Sequence, residues 1–107
     1  MVIGNGLVAK GFKVYEKNEN VIIFASGVSN STEKRKKEFE REFSLLKTLK
    51  INNEVLVYFS TCSIFDQSLK NTPYVLHKKE MENYITNNLK NYIIFRLPTL
   101  VGDTSNP

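Results

Sequence analysis

Short apolar runs alternate along this chain with longer stretches in which apolar residues recur at helical spacing. The runs are "VIIFAS" at 21–26, "EVLVYFS" at 54–60 and "NYIIFRL" at 91–97, with "MVI" at the start as a very short fourth. Each is continuous rather than alternating, the pattern of strands covered on both faces. Strands are therefore expected near 1–5, 20–26, 54–60 and 92–97. Between them, residues 31–50 carry Phe39, Phe43, Leu46 and Leu49 as one apolar stripe of a helix. Asn30 with Glu33 resembles a capping box at its start. Residues 74–89 carry Tyr74, Met81 and Ile85 on one side, with Leu89 continuing it, and Thr72 followed by Pro73 is a helix-start pattern. Residues 7–15 are a shorter helical candidate.

Strands alternating with helices predict a parallel sheet with helices on its faces. The fold class expected is α/β, a reduced Rossmann-like three-layer arrangement of about four mainly parallel strands. With 107 residues and neither an internal repeat nor a linker, residues 1–107 should form a single domain. In open α/β sheets ligands bind beyond the carboxyl ends of the strands. The segments "GNGLVA", "ASGVSNS", "STCSIFDQ" and "RLPTLVGD" should then converge there.

Composition narrows the classes. The chain is 41% hydrophobic and 24% charged, which suits a globular domain rather than a disordered one. No apolar run approaches the ~20 residues of a membrane span, and no basic segment precedes an apolar one at the start. Cys62 is the only cysteine, so an intrachain disulfide and a cysteine-cluster metal site are excluded, and a cytoplasmic location is expected. His77 is the only histidine, which excludes a His-rich metal site. Formal net charge is +4, with much of the excess in "STEKRKKEFEREF". Glu33, Glu38, Glu40 and Glu42 interleave with that run, and the reading is a solvated helix face laced with ion pairs. Nucleic-acid binding is not expected, because no aromatics are interleaved with the basic residues.

The candidate chemistry lies at the predicted strand ends. "GNGLVA" supplies Gly4-x-Gly6-x-x-Ala9 between a strand and a helix. The first glycine permits a tight turn, the second lets backbone approach a pyrophosphate, and the small third residue lets helix pack on strand. A simple glycine turn is the alternative. "FSTCSIF" sets Ser60, Thr61 and Ser63 at the end of a strand, where hydroxyls either satisfy loop backbone or bond a substrate oxygen. Cys62 reads as a small packing residue. Tyr74 and Lys78 stand one helical turn apart and point the same way, a spacing that serves chemistry or packing equally well.

Taken in order, the glycine turn, "FASG", "FSTCSIF", Tyr74-x-x-x-Lys78 and "FRLPTLVGD" resemble the extended short-chain dehydrogenase/reductases. The match is closest to their NAD-dependent sugar-nucleotide epimerase/dehydratase branch and runs over most of the chain. The resemblance implies an enzyme, an oxidoreductase or isomerase, using NAD or NADP on a nucleotide-linked sugar. It implies that Tyr74 is the acid/base, that Lys78 holds the cofactor's ribose hydroxyls and keeps the tyrosine's pKa low, and that Thr61 bonds the reacting oxygen. Ala25, Ser26 and Gly27 would line the cofactor beside Gly4, Gly6 and Ala9, and the backbone around Pro98 would meet the nicotinamide side.

The chain also departs from that family. Two strand–helix units normally intervene between the glycine turn and the "ASG" strand, and here only "KGFKVYEKNEN" does. The acid that would bond the adenosine ribose is missing with them. The family's C-terminal substrate portion normally follows the "RLP…G" strand, beyond the 107 residues of this chain, so a fragment or a reduced relative is expected. Since parallel crossovers are almost always right-handed, a first helix leading straight to the next strand should change faces, and the switch point that makes the crevice should vanish. Otherwise another chain would supply what is missing. The sheet edge exposed at the first strand would favour a homo-oligomer. The competing functional reading is a non-catalytic Rossmann-like module that binds a nucleotide or a partner and keeps relic motifs.

Overall fold

The computed structural model describes residues 1–4, 7–26 and 34–98. Its strands are β1 (Val2–Ile3), β2 (Val21–Phe24), β3 (Val55–Thr61) and β4 (Tyr92–Leu97), and its helices are α1 (Leu7–Gly11), α2 (Lys36–Lys47) and α3 (Pro73–Asn88). Two 3-10 turns, Lys13–Tyr15 and Cys62–Phe65, follow α1 and β3. The four strands form one parallel sheet in the order β1-β2-β3-β4. This is the α/β sheet the apolar runs predict, with β1 cut to two residues.

Local signals set the helix starts. The Thr72 hydroxyl accepts a bond from the Val75 N–H at 3.4 Å, and Pro73 occupies the first turn of α3. At α2 the capping residue is Arg35, whose side chain makes no cap bond. The proposed Asn30–Glu33 box falls at residues outside those described.

The pleat then sorts the strand residues onto two faces. Ile22, Phe24, Leu56 and Tyr58 point to one, where they form the main core with Leu46 of α2 and Met81 and Ile85 of α3. Each such side chain contributes roughly 1.5–3 kcal/mol when fully buried. Ile23 and Val57 point to the other face and are also buried. There Phe12, just past α1, packs its ring on Phe59 at 5.4 Å. The chain therefore has three layers, with the segment after β1 on one side and α2 and α3 on the other.

This corrects the expected change of face. All three crossovers step the same way across the sheet, yet the first passes over the opposite face, so its hand is opposite to the other two. If α2 and α3 take the usual right hand, the first connection is left-handed. The physical reason lies in the sheet itself, which is apolar on both faces. Three connections on one side would leave Ile23, Val57 and Phe59 in water, and covering them outweighs the handedness preference. Neighbouring strands whose connections leave on opposite faces define a switch point, and here it falls between β1 and β2.

Both β1 and β4 are edges of the sheet, and among the described residues the longer edge is β4. It exposes Tyr92, Ile93 and Phe95, with Phe95 stacked on Phe59 at 5.9 Å. Among the described residues no helix is long and apolar enough to cross a membrane.

Candidate active site

In a parallel sheet each crossover helix runs back antiparallel to its strands, so α3 begins near the carboxyl end of β3. The chain leaves β3 at Thr61, makes the 3-10 turn and returns through an Asp66 turn, whose carboxylate accepts from the Ser68 N–H (2.9 Å) and hydroxyl (2.6 Å). This compact return brings the strand end to the first turn of α3. Thr61 and Tyr74 are both buried there, and the Thr61 hydroxyl interacts with the Tyr74 phenol. The Thr61 side chain is also fixed by accepting from the Ser63 N–H at 3.1 Å. Ser60, one residue earlier, is buried on the helix-bearing face, and its hydroxyl has no partner among the described residues.

One turn along α3, the Lys78 ammonium lies 5.7 Å from the centre of the Tyr74 ring. It does not project into a crevice, for Lys78 is only 2% exposed. It donates to the Tyr58 hydroxyl at 3.1 Å and to Glu42 Oε2 at 3.2 Å. The Tyr58 hydroxyl in turn donates to Glu42 Oε2 at 2.6 Å, and His77 Nε2 bonds Glu42 Oε1 at 2.6 Å. Phe39 stacks on His77 at 4.5 Å. Side chains from α2, β3 and α3 thus meet in a buried polar cluster centred on one carboxylate.

That cluster alters the electrostatics expected of a tyrosine–lysine pair. Burial pushes the Tyr74 phenol above the ordinary tyrosine value of 10.0, the Thr61 hydroxyl works against the rise, and the Glu42 carboxylate adds to it. Lys78 is pushed below 10.5 by burial, with Glu42 opposing. A lysine that holds the phenol's pKa low is therefore not what this packing produces, because Glu42 takes up the lysine's charge. Tyr58 is raised well above 10.0, first by burial and then by Glu42.

The tyrosine shifts give a pH prediction with a definite sign. Above pH 10 the unfolded chain loses protons that folded Tyr58 and Tyr74 keep, so their contribution to stability is complete below pH 10 and is lost as pH rises through the folded values. Lys78 acts oppositely, since between its lowered value and 10.5 the unfolded chain holds the extra proton. In a phenolate absorbance titration, two of the five tyrosines, Tyr58 and Tyr74, should titrate above the ordinary value of 10.0. Five tyrosines titrating together while the fold persists would refute this placement.

At the switch point, Gly4 has a φ of +116°, and a Cβ there would stand 2.6 Å from the Ala25 carbonyl oxygen. Only glycine allows β1 to end against β2 in this way. Arg41 of α2 braces the same place, donating to the Ser26 carbonyl at 3.0 Å. Gly4, Ala25 and Ser26 are thus brought together, and Ala9 is buried in the helix that follows. Gly6 and Gly27 lie outside the described residues. Pro98 is exposed just beyond β4. Arg96 from the same "RLP" segment is held bidentately by Glu82 at 2.7 and 3.1 Å. Cys62, expected as a packing residue, is instead exposed, with its thiol against the Arg96 carbonyl oxygen at 3.0 Å.

Glu42, Tyr58 and His77 are the site residues that sequence reasoning missed. The charge pattern puts Glu42 on a solvated ion-pair face, and the Glu38–Arg41 pair at 3.4 Å does belong to one. Glu42 itself is fully buried. Its position carried the signal, for it falls three residues after Phe39 and four before Leu46, inside the apolar stripe. His77 falls likewise between Tyr74 and Met81. Among the described residues no group of three or more His, Cys, Asp or Glu is placed to hold a metal ion.

No protein-family profile, no curated protein and no solved structure matches this chain.

Proposed function

We propose that the chain is a reduced short-chain dehydrogenase/reductase of the epimerase/dehydratase kind, using NAD or NADP on a nucleotide-linked sugar. The observation that carries the reading is the meeting of the Thr61 hydroxyl with the Tyr74 phenol at the carboxyl end of β3, with Lys78 one turn behind. Two independent sequence motifs meet at the place where an α/β sheet binds its ligands. The close approach of Gly4 to Ala25, where a Cβ would clash, makes the tight turn with which a dinucleotide motif begins and supports a dinucleotide there. Gly4, Ala25 and Ser26 would hold the cofactor. No acid stands at the end of β2, where the chain reads Ala25-Ser26, so the adenosine ribose lacks its usual partner and binding is weak.

When bound, the nicotinamide supplies the hydride chemistry. The chain's own residues supply orientation and a proton. Thr61 bonds the reacting oxygen of the sugar and sets it beside Tyr74. Tyr74 gives its phenolic proton to that oxygen or takes one from it. The burial of both side chains keeps bulk water from competing.

A second reading has one observation in its favour. Lys78 is bonded to Glu42 and Tyr58, away from any crevice, as in a module that keeps the motif without the chemistry. Fluorescence titration of NADH and NADPH into the purified chain, with and without nucleotide sugars, separates the two. The enzyme reading expects saturable binding weaker than micromolar and, with NAD or NADP supplied, conversion of at least one nucleotide sugar. Binding with no turnover on any sugar favours the relic module, and no binding of either dinucleotide refutes the enzyme and leaves the module only its partner-binding form.

A further inference from the structure

We propose that Glu42 is a positioning residue of this site, holding the Lys78 ammonium in the buried cluster so that Tyr74 rests in its protonated form. The proposal rests on the reading of Tyr74 as the proton-transfer group and gives that group a direction.

The geometry is specific. Both oxygens of the Glu42 carboxylate are engaged, Oε1 by His77 and Oε2 by Tyr58 and Lys78. Glu42 is fully buried, so water does not compete for these bonds. The charged and titratable groups around Lys78 are Arg41 and Glu42 from α2, Tyr58 from β3, and Tyr74, His77 and Glu82 from α3. Of these, Arg41 disfavours the ammonium, whereas Glu42 and Glu82 favour it. Glu82 is already committed to Arg96. Glu42 is therefore the carboxylate that holds Lys78.

An ammonium bonded to a carboxylate projects little net positive potential onto a neighbouring phenol. Glu42 also acts on Tyr74 directly, favouring the neutral phenol. The resting tyrosine is thus an acid, ready to donate to a carbonyl oxygen. To serve as a base it must first lose its proton, which the Glu42 charge opposes.

The test is an NMR titration of the cofactor-free chain with ¹³C-labelled tyrosine, comparing wild type, Glu42→Gln and Tyr58→Phe. Glu42→Gln removes the charge, and Tyr74 should then ionise at least about threefold more readily. Tyr58→Phe removes a bond from the same cluster without changing charge, and Tyr74 should move by less than about twofold. A smaller change in Glu42→Gln, or equal changes in both variants, overturns the proposal. Should Glu42→Gln fail to fold, wild type alone decides. There the Lys78 ammonium should give a slowly exchanging ¹⁵N signal correlated with the Glu42 carboxyl, and a freely exchanging amine overturns the proposal. None of these readings needs a substrate, so they stand apart from any failure of turnover.

Discussion

Tyr74→Phe should leave the fold and the dinucleotide affinity intact while turnover falls by about a hundredfold or more. The substitution removes one oxygen and keeps the ring that packs with Val75 beside Phe39, Ile64 and Leu69. Val75 and Ile64 do not depend on that oxygen, so the small cluster under the first turn of α3 survives. What disappears is the phenolic hydroxyl beside Thr61, and with it the transferable proton. Measured with a nucleotide sugar that supports nicotinamide turnover, the loss should appear in kcat with little change in KM. A variant that turns over normally would reduce Tyr74 and Lys78 to packing.

Glu42→Ala should have the largest effect on stability, about 3–5 kcal/mol. It strands the Lys78 charge at 2% exposure and takes from Tyr58 and His77 the bonds each makes to the carboxylate. Small domains have only ~5–15 kcal/mol in total, so most of the margin would go. The double change Glu42→Leu with Lys78→Met should recover much of the loss, because two apolar side chains of similar length need no counter-charge. Urea unfolding of the two variants reads this directly. A single variant within about 1 kcal/mol of wild type would mean that the cluster is not the buried ion pair described.

Much of the sheet was legible in the sequence because β2, β3 and β4 are continuous runs of strand-forming residues between polar stretches. The start of α3 was legible too, since Thr72 and Pro73 act through their own local bonds. The path of residues 7–15 was not. It depends on which sheet face most needs covering, a comparison between Phe12 and residues far along the chain such as Phe59. The pairing of Thr61 with Tyr74 could be expected from motif order alone. The state of Lys78 could not, because its partner lies 36 residues away on another helix. Glu42 looked like one more surface acid among Glu38 and Glu40, and only its place in the apolar stripe set it apart.

The central claim is that the Gly4–Ala25 switch point and the Thr61–Tyr74 pair belong to one dinucleotide site. The most direct test is amide and tyrosine-ring chemical-shift mapping of the wild-type chain as NADH is added. The account predicts saturable shifts at Gly4, Ala25, Ser26, Thr61 and Tyr74 that share one affinity, with α2 residues such as Lys47 unmoved. Shifts confined to other surfaces, or signals at Gly4 and Tyr74 that stay still while NADH binds elsewhere, would contradict it.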